Sequence, residues 1–469
     1  MEQAGLATPT LHRALSPVGV MMLVFSALSP VMSVYIGGAG VLHMAGTGAA
    51  IAFILGGVIA AVLALLYAEL AAAFPRAGGT YPTIAAVLGH GGAFPLTAVN
   101  MIVQPATLAF TALGFADYAR VLAPGLPLVP VAVAALALAS AIAALNVRTG
   151  AWVTGLFLVV EGVALVLLAG VALAHPARLL QQVLTHPVML DHGALTPVHL
   201  ATLALATVSG AWTCAGASYA LYFGEEMHDA PRRIGRVVAW CGLIAALSIA
   251  VPTILMVLSI QDLPRVLGAE APVATFLSQT GGPRVATVVS IGVVVAIFNC
   301  LIATSIAISR LFYATGRDGL WPVRLNAALS HLHPRLRSPV FATTLLGVIS
   351  ALLLFLGERS LLVLISGDVA AYLLISLAVL VGRRRRLTGA RFSAPFHPVI
   401  PVFGLIVTGV FIYADWADVA AGRPSVILLG GVFLASLAYF HFYLRRASQA
   451  WLVAEILEVE VDVEIIAVT

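Results

Sequence analysis

The feature that most restricts what this chain can become is a recurrence of apolar runs, each near the roughly 20 residues that a helix needs to cross a bilayer. About twelve follow one another, at 18 to 42, 49 to 73, 94 to 118, 126 to 145, 151 to 174, 200 to 223, 237 to 260, 285 to 309, 340 to 356, 361 to 381, 398 to 413 and 426 to 443. A soluble fold has no use for such a pattern. With 61% of residues hydrophobic, 9% charged and a mean hydropathy of +1.05, the chain reads as an all-α integral membrane protein. The first run is long and leads into further runs, so it reads as a retained helix rather than a signal peptide. Cys214, Cys241 and Cys300 all fall inside runs, which argues against a disulfide framework, and no metal-ligand spacing occurs.

All 24 basic side chains are arginine, which makes topology easy to test. With twelve spans and a cytoplasmic N-terminus, 18 arginines fall inside and 6 outside, the latter being Arg120, Arg178, Arg265, Arg284, Arg359 and Arg423. That asymmetry follows the positive-inside rule and places both termini in the cytoplasm of an inner membrane. The lack of lysine points to a GC-rich bacterial genome. The net charge of +4 belongs to the inside loops, and no nucleic-acid partner is needed to account for it. The expected organisation is a cytoplasmic segment at 1–17, five spans over 18–174, an extracellular loop at 175–199, five spans over 200–381, two more over 382–446 and a cytoplasmic tail at 447–469. The tail alternates acidic and apolar residues from Glu455 to Glu464, like a strand.

Two spans are poor helices in their middles. The sixth holds Ser209, Gly210, Thr213, Gly216 and Ser218, and charge returns directly after it in Glu225-Glu226-Met-His-Asp-Ala-Pro-Arg-Arg-Ile-Gly-Arg236. The first holds Ser26, Ser29, Pro30, Ser33, Gly37, Gly38 and Gly40, and Pro30 both lacks a donor and obstructs the carbonyl of Ser26. Irregular backbone at membrane depth survives only where protein buries it or where it lines a wet cavity. Close packing of helices through small residues is the alternative reading of both stretches. The first and sixth spans correspond if helices one to five and six to ten form two repeats. Five being odd, the halves then lie in opposite orientations and substrate binds where the interruptions meet. Half-helix N-termini there offer N–H groups to a carboxylate.

An ionised group near the bilayer centre costs about 2.5 to 3.5 kcal/mol on the lenient insertion scale, so a buried acid is a functional candidate. Glu161 lies about 15 Å into the fifth span and is read either as a carrier of a coupling proton or as a fixed interhelical hydrogen-bond acceptor. Asp368, in the tenth span, could meet a cationic amine or join two helices. Glu69 and Arg76, at the inner end of the second span, are read as members of a cytoplasmic network. So are Glu225, Glu226, Arg310 and Asp318, with Arg317, Arg324, Arg335, Arg337 and Asp229 as possible members. Exposed pairs of this kind are worth about 0 to 1 kcal/mol each, so the network matters more than one member. The run Arg383 to Arg386 reads as a topology anchor beside anionic headgroups.

Several passages carry a family resemblance. Tyr67-Ala-Glu69-Leu followed by Pro75-Arg76-Ala-Gly78-Gly79-Thr80-Tyr81 resembles a motif after the second helix of amino acid, polyamine and organocation transporters. Leu145-Asn146-Val-Arg148-Thr-Gly150 is similar to their connection between helices four and five. Asn299, then Ser309-Arg310-Leu-Phe-Tyr313-Ala-Thr-Gly-Arg317-Asp318-Gly319-Leu-Trp-Pro322, then His333-Pro334-Arg335 and Ser338-Pro339, is similar to their loop after helix eight. The similarity covers roughly residues 15 to 385. It implies the LeuT-like fold, twelve helices in a 5+5 inverted repeat with helices one and six broken. It also implies an aromatic gate at Trp212. Three departures stand out. Glu161 lies near a position where relatives carry a basic residue, and Ser218 occupies an acidic gate position. The family's Gly-Ser-Gly of helix one is replaced by Val31-Met32-Ser33.

The resulting expectation is a secondary active transporter, a permease moving amino acids by alternating access with proton symport. Backbone around Ser29 to Ser33 is expected to hold the substrate carboxylate, and carbonyls near Ser209 to Ala211 the amine. The expected binding set is Ser26, Ser29, Val31, Met32, Ser33, Ser209, Gly210, Ala211, Trp212 and Gly216, with Asp368, Ser218 and Asn299 as further polar positions. The partners are a small amino acid or amine, the lipid bilayer and a proton, with no cofactor and no metal. An amine or polyamine importer, an amino acid exchanger, and a passive channel or sensor are the alternatives.

Overall fold

The computed structural model describes residues 11–366 and 369–445 of the 469. Asp368 and the acidic tail lie outside the described residues. The chain is almost entirely helical, in the order α1 (Pro17–Leu28), α2 (Gly38–Ala45), α3 (Ala49–Ala73), α4 (His90–Leu122), α5 (Leu128–Ala143), α6 (Val147–Ala174) and α7 (Leu200–Cys214). There follow α8 (Ala230–Ser259), α9 (Pro283–Arg317), α10 (Val340–Leu353), α11 (Glu358–Ser366), α12 (Ala370–Arg384), α13 (Val399–Ala417) and α14 (Gly422–Tyr439). Among the described residues, 9 helical stretches are long and apolar enough to cross a membrane, and the shorter Leu128–Ala143 and Val340–Leu356 stand beside them. The longest stretch, Pro17–Ala73, contains both α1–α2 and α3, joined by a tight turn at Gly46–Gly48.

That turn is covered by an element the sequence reading missed. Residues 175–199 are not plain loop but hold a short helix, Leu180–Thr185, and an antiparallel hairpin, β1 (Val188–Asp191) with β2 (Ala194–Pro197). His192 and Gly193, at φ 47 and 82, supply the positive dihedrals of a type I′ turn. Strands of four residues with mixed polarity leave almost no periodic signal. The Thr47 hydroxyl accepts the Val188 N–H at 2.8 Å, and a Cβ on Gly46 would lie 2.2 Å from the Val188 carbonyl oxygen.

The interior is organised around α9, whose residues from Asn299 to Gly316 are all buried. A stretch buried on every side, with its polar groups bonded internally, takes the centre. Around it, α3 is held against α7 and α8 by missing side chains. A Cβ on Gly56 would come within 2.5 Å of the Ala211 nitrogen, one on Gly210 within 2.9 Å of the Ala52 oxygen, and one on Gly242 within 2.3 Å of the Ala64 Cβ. Lipid tails are as apolar as leucine, so helices in a bilayer gain from close backbone approach more than from burying large side chains.

The arginine-rich end is closed by buried ion pairs. Arg310 is fully buried; its Nε and Nη2 donate to Glu226 at 2.9 and 3.0 Å, and its Nη1 donates to the Ile306 carbonyl and the Ser309 hydroxyl at 3.0 and 3.1 Å. Arg317 grips Asp318 at 2.8 Å and also Glu225, while the Tyr81 hydroxyl donates to Asp318 at 2.5 Å. Burial and the neighbouring Asp318 carboxylate hold the Tyr81 phenol well above its usual range, so it stays a donor. Arg76 lies 3.9 Å from Glu225. The backbone carbonyl of Glu226 accepts the N–H groups of Ala14 and Leu15, both at 2.9 Å, tying the entry of α1 to the same cluster.

Three details differ from the sequence reading. Asp229, just before α8, pairs with Arg233 of its first turn at 3.2 Å, and among the described residues no ion pair joins Arg324, Arg335 or Arg337 to these acids. Glu69 pairs with Arg383, at 2.6 and 2.8 Å, and also accepts from Thr388 and the Ala394 N–H. Arg383 is therefore an internal partner rather than part of a free headgroup anchor; sequence separation of 314 residues hid the pair.

Two outcomes follow from this packing. Gly56→Leu is expected to lower stability by about 1 to 3 kcal/mol or more through overpacking against Ala211, read as a fall in apparent melting temperature in detergent. Gly409→Leu, which faces open space, should change little, and matching falls would dismiss the contact. Glu226→Leu strands the Arg310 guanidinium and is expected to cost about 3 to 5 kcal/mol. The double variant Glu226→Leu/Arg310→Met should recover most of that loss, and a double variant as unstable as the single one would contradict the pairing.

Candidate functional site

The first span breaks at Ser29. Its N–H still closes α1 on the Phe25 carbonyl at 2.8 Å, but its own backbone turns left-handed at φ 45, and Pro30 brings no donor to continue the ladder. A short turn, Pro30–Met32, and a wider π-type turn, Ser33–Gly37, lead into α2. The orphaned carbonyls are taken up locally. The Ser33 hydroxyl donates to the Leu28 carbonyl at 3.3 Å and the Cys300 thiol to the Ala27 carbonyl at 3.1 Å. Ser26 reaches across to the Thr154 carbonyl at 3.2 Å.

The donors released on the other side of the break meet Glu161. The Ser29 hydroxyl donates to Glu161 Oε2 at 3.0 Å, the Asn299 amide to Oε1 at 2.8 Å, and the Val31 N–H bonds to the same carboxyl. The Met32 N–H goes to the Ser29 Oγ at 3.3 Å and the Ser33 N–H to the Ser29 carbonyl at 2.9 Å. An internal carboxyl thus occupies the half-helix N-terminus that the sequence reading reserved for the substrate. Glu161 sits on α6 with 1% of its surface exposed.

The sixth span breaks after Cys214. Ala215 is extended, and its N–H turns back to the Trp212 carbonyl at 3.1 Å. Gly216 follows, where a Cβ would lie 2.4 Å from Leu28 Cδ1, and a Cβ on Gly37 would lie 2.6 Å from Thr213 Cγ2. The two interruptions therefore touch, and glycine on each side permits it. The last turn of a helix leaves carbonyls without an i+4 donor, which here means Ala211 to Cys214 with Trp212 already engaged. Ser209 and Gly210 are not in that position. The Ser209 carbonyl accepts the Thr213 hydroxyl at 2.7 Å, and Gly210 and Ala211 press their backbones on α3.

Between the breaks lies a cavity of about 260 Å³. From the sequence-derived set, Met32, Ser33, Trp212, Gly216 and Ser218 line it. Ser26, Ser29, Val31, Gly210, Ala211, Glu161 and Asn299 are buried behind its wall, and Ser209 is not part of it. Trp212 is 51% exposed, so neighbouring elements cover only part of it. The remaining wall comes from Gln104, Thr107, Phe110 and Thr111 of α4, Thr304 and Cys300 of α9, Tyr219 and Tyr222 after the sixth-span break, and Ile365 and Tyr372 of α11 and α12.

The α4 residues were missed, although 104, 107 and 111 recur at helical spacing on one face of an apolar span. Among the described residues, no Asp, Glu, Arg, Lys or His lines the cavity. Thr107 and Thr111 spend their hydroxyl protons on their own helix, both at 2.9 Å, whereas Gln104 and Ser218 have no side-chain partner among the described residues. Such a site can hold a small molecule with an apolar body through a few neutral polar contacts.

Comparison with known proteins agrees with the geometry. A family model described as amino acid permease matches residues 15–444. The chain is 27% identical over 439 residues to a branched-chain amino acid permease, BcaP, of Lactococcus lactis, covering 87% of this chain and 89% of that one. It is 26% identical to a methylthioribose transporter of Bacillus subtilis, with 86% and 87% covered, and 24% identical to human b(0,+)-type amino acid transporter 1, with 84% and 80% covered. Since the match runs from the entry of α1 to the end of α14, the chain belongs to the amino acid permease family of membrane transporters.

Proposed function

We propose that this permease moves neutral amino acids with apolar side chains, such as leucine, isoleucine and valine, across a bacterial inner membrane. The observation that carries the reading is the uncharged cavity between two touching helix breaks. A cationic amino acid or a polyamine would enter it without a counter-charge from the described lining, at a high desolvation cost. The name of the Lactococcus relative points the same way. The framework we assign is twelve spans in a 5+5 inverted repeat with both termini cytoplasmic. Its support is the placement of the breaks in the first and sixth spans and the arginine asymmetry.

In this reading the substrate amine lies against the end of α7, near the Thr213 carbonyl, and the carboxylate takes N–H and O–H donors that include Gln104 and Ser218. The apolar side chain lies among Ile36, Val103, Phe110 and Ile365. Trp212 stands at the rim and closes over the loaded site. Glu161 carries the coupling proton. When protonated it needs fewer donors, so the Val31 N–H and Ser29 hydroxyl become available at the break, and proton and substrate bind with reciprocal coupling. A second reading of Glu161 has its own support: three donors fully satisfy a carboxylate that merely clasps α6, α9 and the break together.

Leucine, isoleucine and valine are expected to raise the melting temperature of the purified protein, while arginine and putrescine leave it unchanged. Ligand at a hundred times its Kd adds about 2.7 kcal/mol to native stability, and a shift with arginine or putrescine alone would reverse the assignment. Counterflow in proteoliposomes should show trans-stimulation by leucine, which a channel lacks. Glu161→Gln is expected to abolish pH-gradient-driven uptake while sparing leucine exchange, and unaltered gradient dependence would leave only the clasp.

A further inference from the structure

We infer that the groove between the starts of α1 and α8 seats the headgroup of an anionic glycerophospholipid. The groove, of about 400 Å³, is lined by Pro17 and Met21 of α1 and by Arg233, Arg236, Val237 and Trp240 of α8. Positions 233, 236, 237 and 240 recur at three- and four-residue spacing, so they share one face of the helix. The opposite face is committed elsewhere, with Gly235 against Phe392 and the Ala68 carbonyl and Gly242 against Ala64.

Along the groove face the chemistry changes in the order a lipid changes. Arg233 and Arg236, both exposed, come first, at the arginine-rich end. One and two turns further in, the Val237 side chain and the Trp240 indole follow, the latter 57% exposed. Tryptophan belongs at the headgroup–acyl boundary, and basic pockets between spans attract anionic headgroups. Arg236 is exposed and makes no hydrogen bond or ion pair among the described residues. Among the described residues Arg233 gives only its Nε–H, to Asp229 at 3.2 Å, which leaves the rest of its donor fork for a phosphate.

A soluble anion would use the arginines alone. Met21 and Trp240 continue the surface into the apolar length of the helices, with Val237 closing the groove floor beneath them, which fits an attached acyl chain and commits the seat to a lipid. The lipid would touch both helices beside the Leu15–Met227 bridge, where the N-terminal segment is already stitched to the residues before α8. This inference depends on the chain spanning a bilayer and is independent of the substrate.

The test uses the full chain in phosphatidylcholine vesicles doped with brominated phosphatidylglycerol or, in matched samples, brominated phosphatidylcholine. Quenching of Trp240 is isolated by subtracting the Trp240→Phe signal. Wild type is expected to favour the anionic lipid at Trp240 at least about fivefold. Arg233→Gln/Arg236→Gln should reduce this to parity, while Arg232→Gln, one position off the groove, retains it. Arg236→Gln alone should lose part of the preference, which keeps the test open if the double variant does not fold. Equal quenching by both lipids in wild type, or an undiminished preference in the arginine variants, would overturn the assignment. So would displacement of the lipid by inorganic phosphate at matched ionic strength.

Discussion

A peptide group that leaves the helical ladder inside a bilayer has no water to turn to, and everything distinctive about this protein follows from how it meets that demand. At the first break the answers are individual side chains. Cys300 and Ser33 cover the carbonyls of Ala27 and Leu28, while Glu161 and Ser29 receive the N–H groups of Val31 and Met32. These partners come from the fifth and eighth runs of the sequence as well as from the break itself. The break is therefore a junction of three helices, and its conformation is tied to whatever moves α6 or α9.

The sixth-span break is treated differently. There the Ala215 N–H closes the Trp212 carbonyl, and Thr213, Ala215 and Gly216 adjoin the cavity. One interruption is internally saturated and the other is left open. An incoming amino acid thus meets unequal walls, rich in acceptors on the α7 side and offering few free donors on the other. Neutral side chains on α4, with Gln104 foremost, stand where donors are otherwise scarce.

At the arginine-rich end the same economy of polar groups takes an ionic form. Arg310 with Glu226, Arg317 with Asp318 and Glu225, and Arg383 with Glu69 are each buried on at least one side and multiply hydrogen-bonded. Pairs so placed add little net stability over an apolar substitute, yet breaking one partner is costly. They favour two discrete arrangements, paired or fully hydrated, over a gradual loosening. The Glu226 backbone also holds Ala14 and Leu15, so any separation of α1 from α8 at this end disturbs the Arg310 pair directly.

What the sequence determined by itself was everything carried by length, periodicity and local backbone chemistry. Runs of about 20 apolar residues can do little but span a membrane. Pro30 beside Ser29, and Gly216 after a run of small residues, mark where a helix cannot continue, because donors and side-chain contacts are missing whatever the surroundings. Glu161, Asn299 and the glycines could be picked out as unusual for hydrocarbon. Their partners could not, since Glu161 with Asn299 and Glu69 with Arg383 join residues more than a hundred positions apart. Nor could local sequence say which side of a helix faces the cavity: Gly210 reads as a binding residue until Ala52 is seen against it, and Gln104 is ordinary until α4 is rotated into place. Only the packed structure fixed the rotation of each helix and the crossing at Gly56 and Gly242, because those depend on the summed fit of neighbouring surfaces rather than on any one stretch of chain.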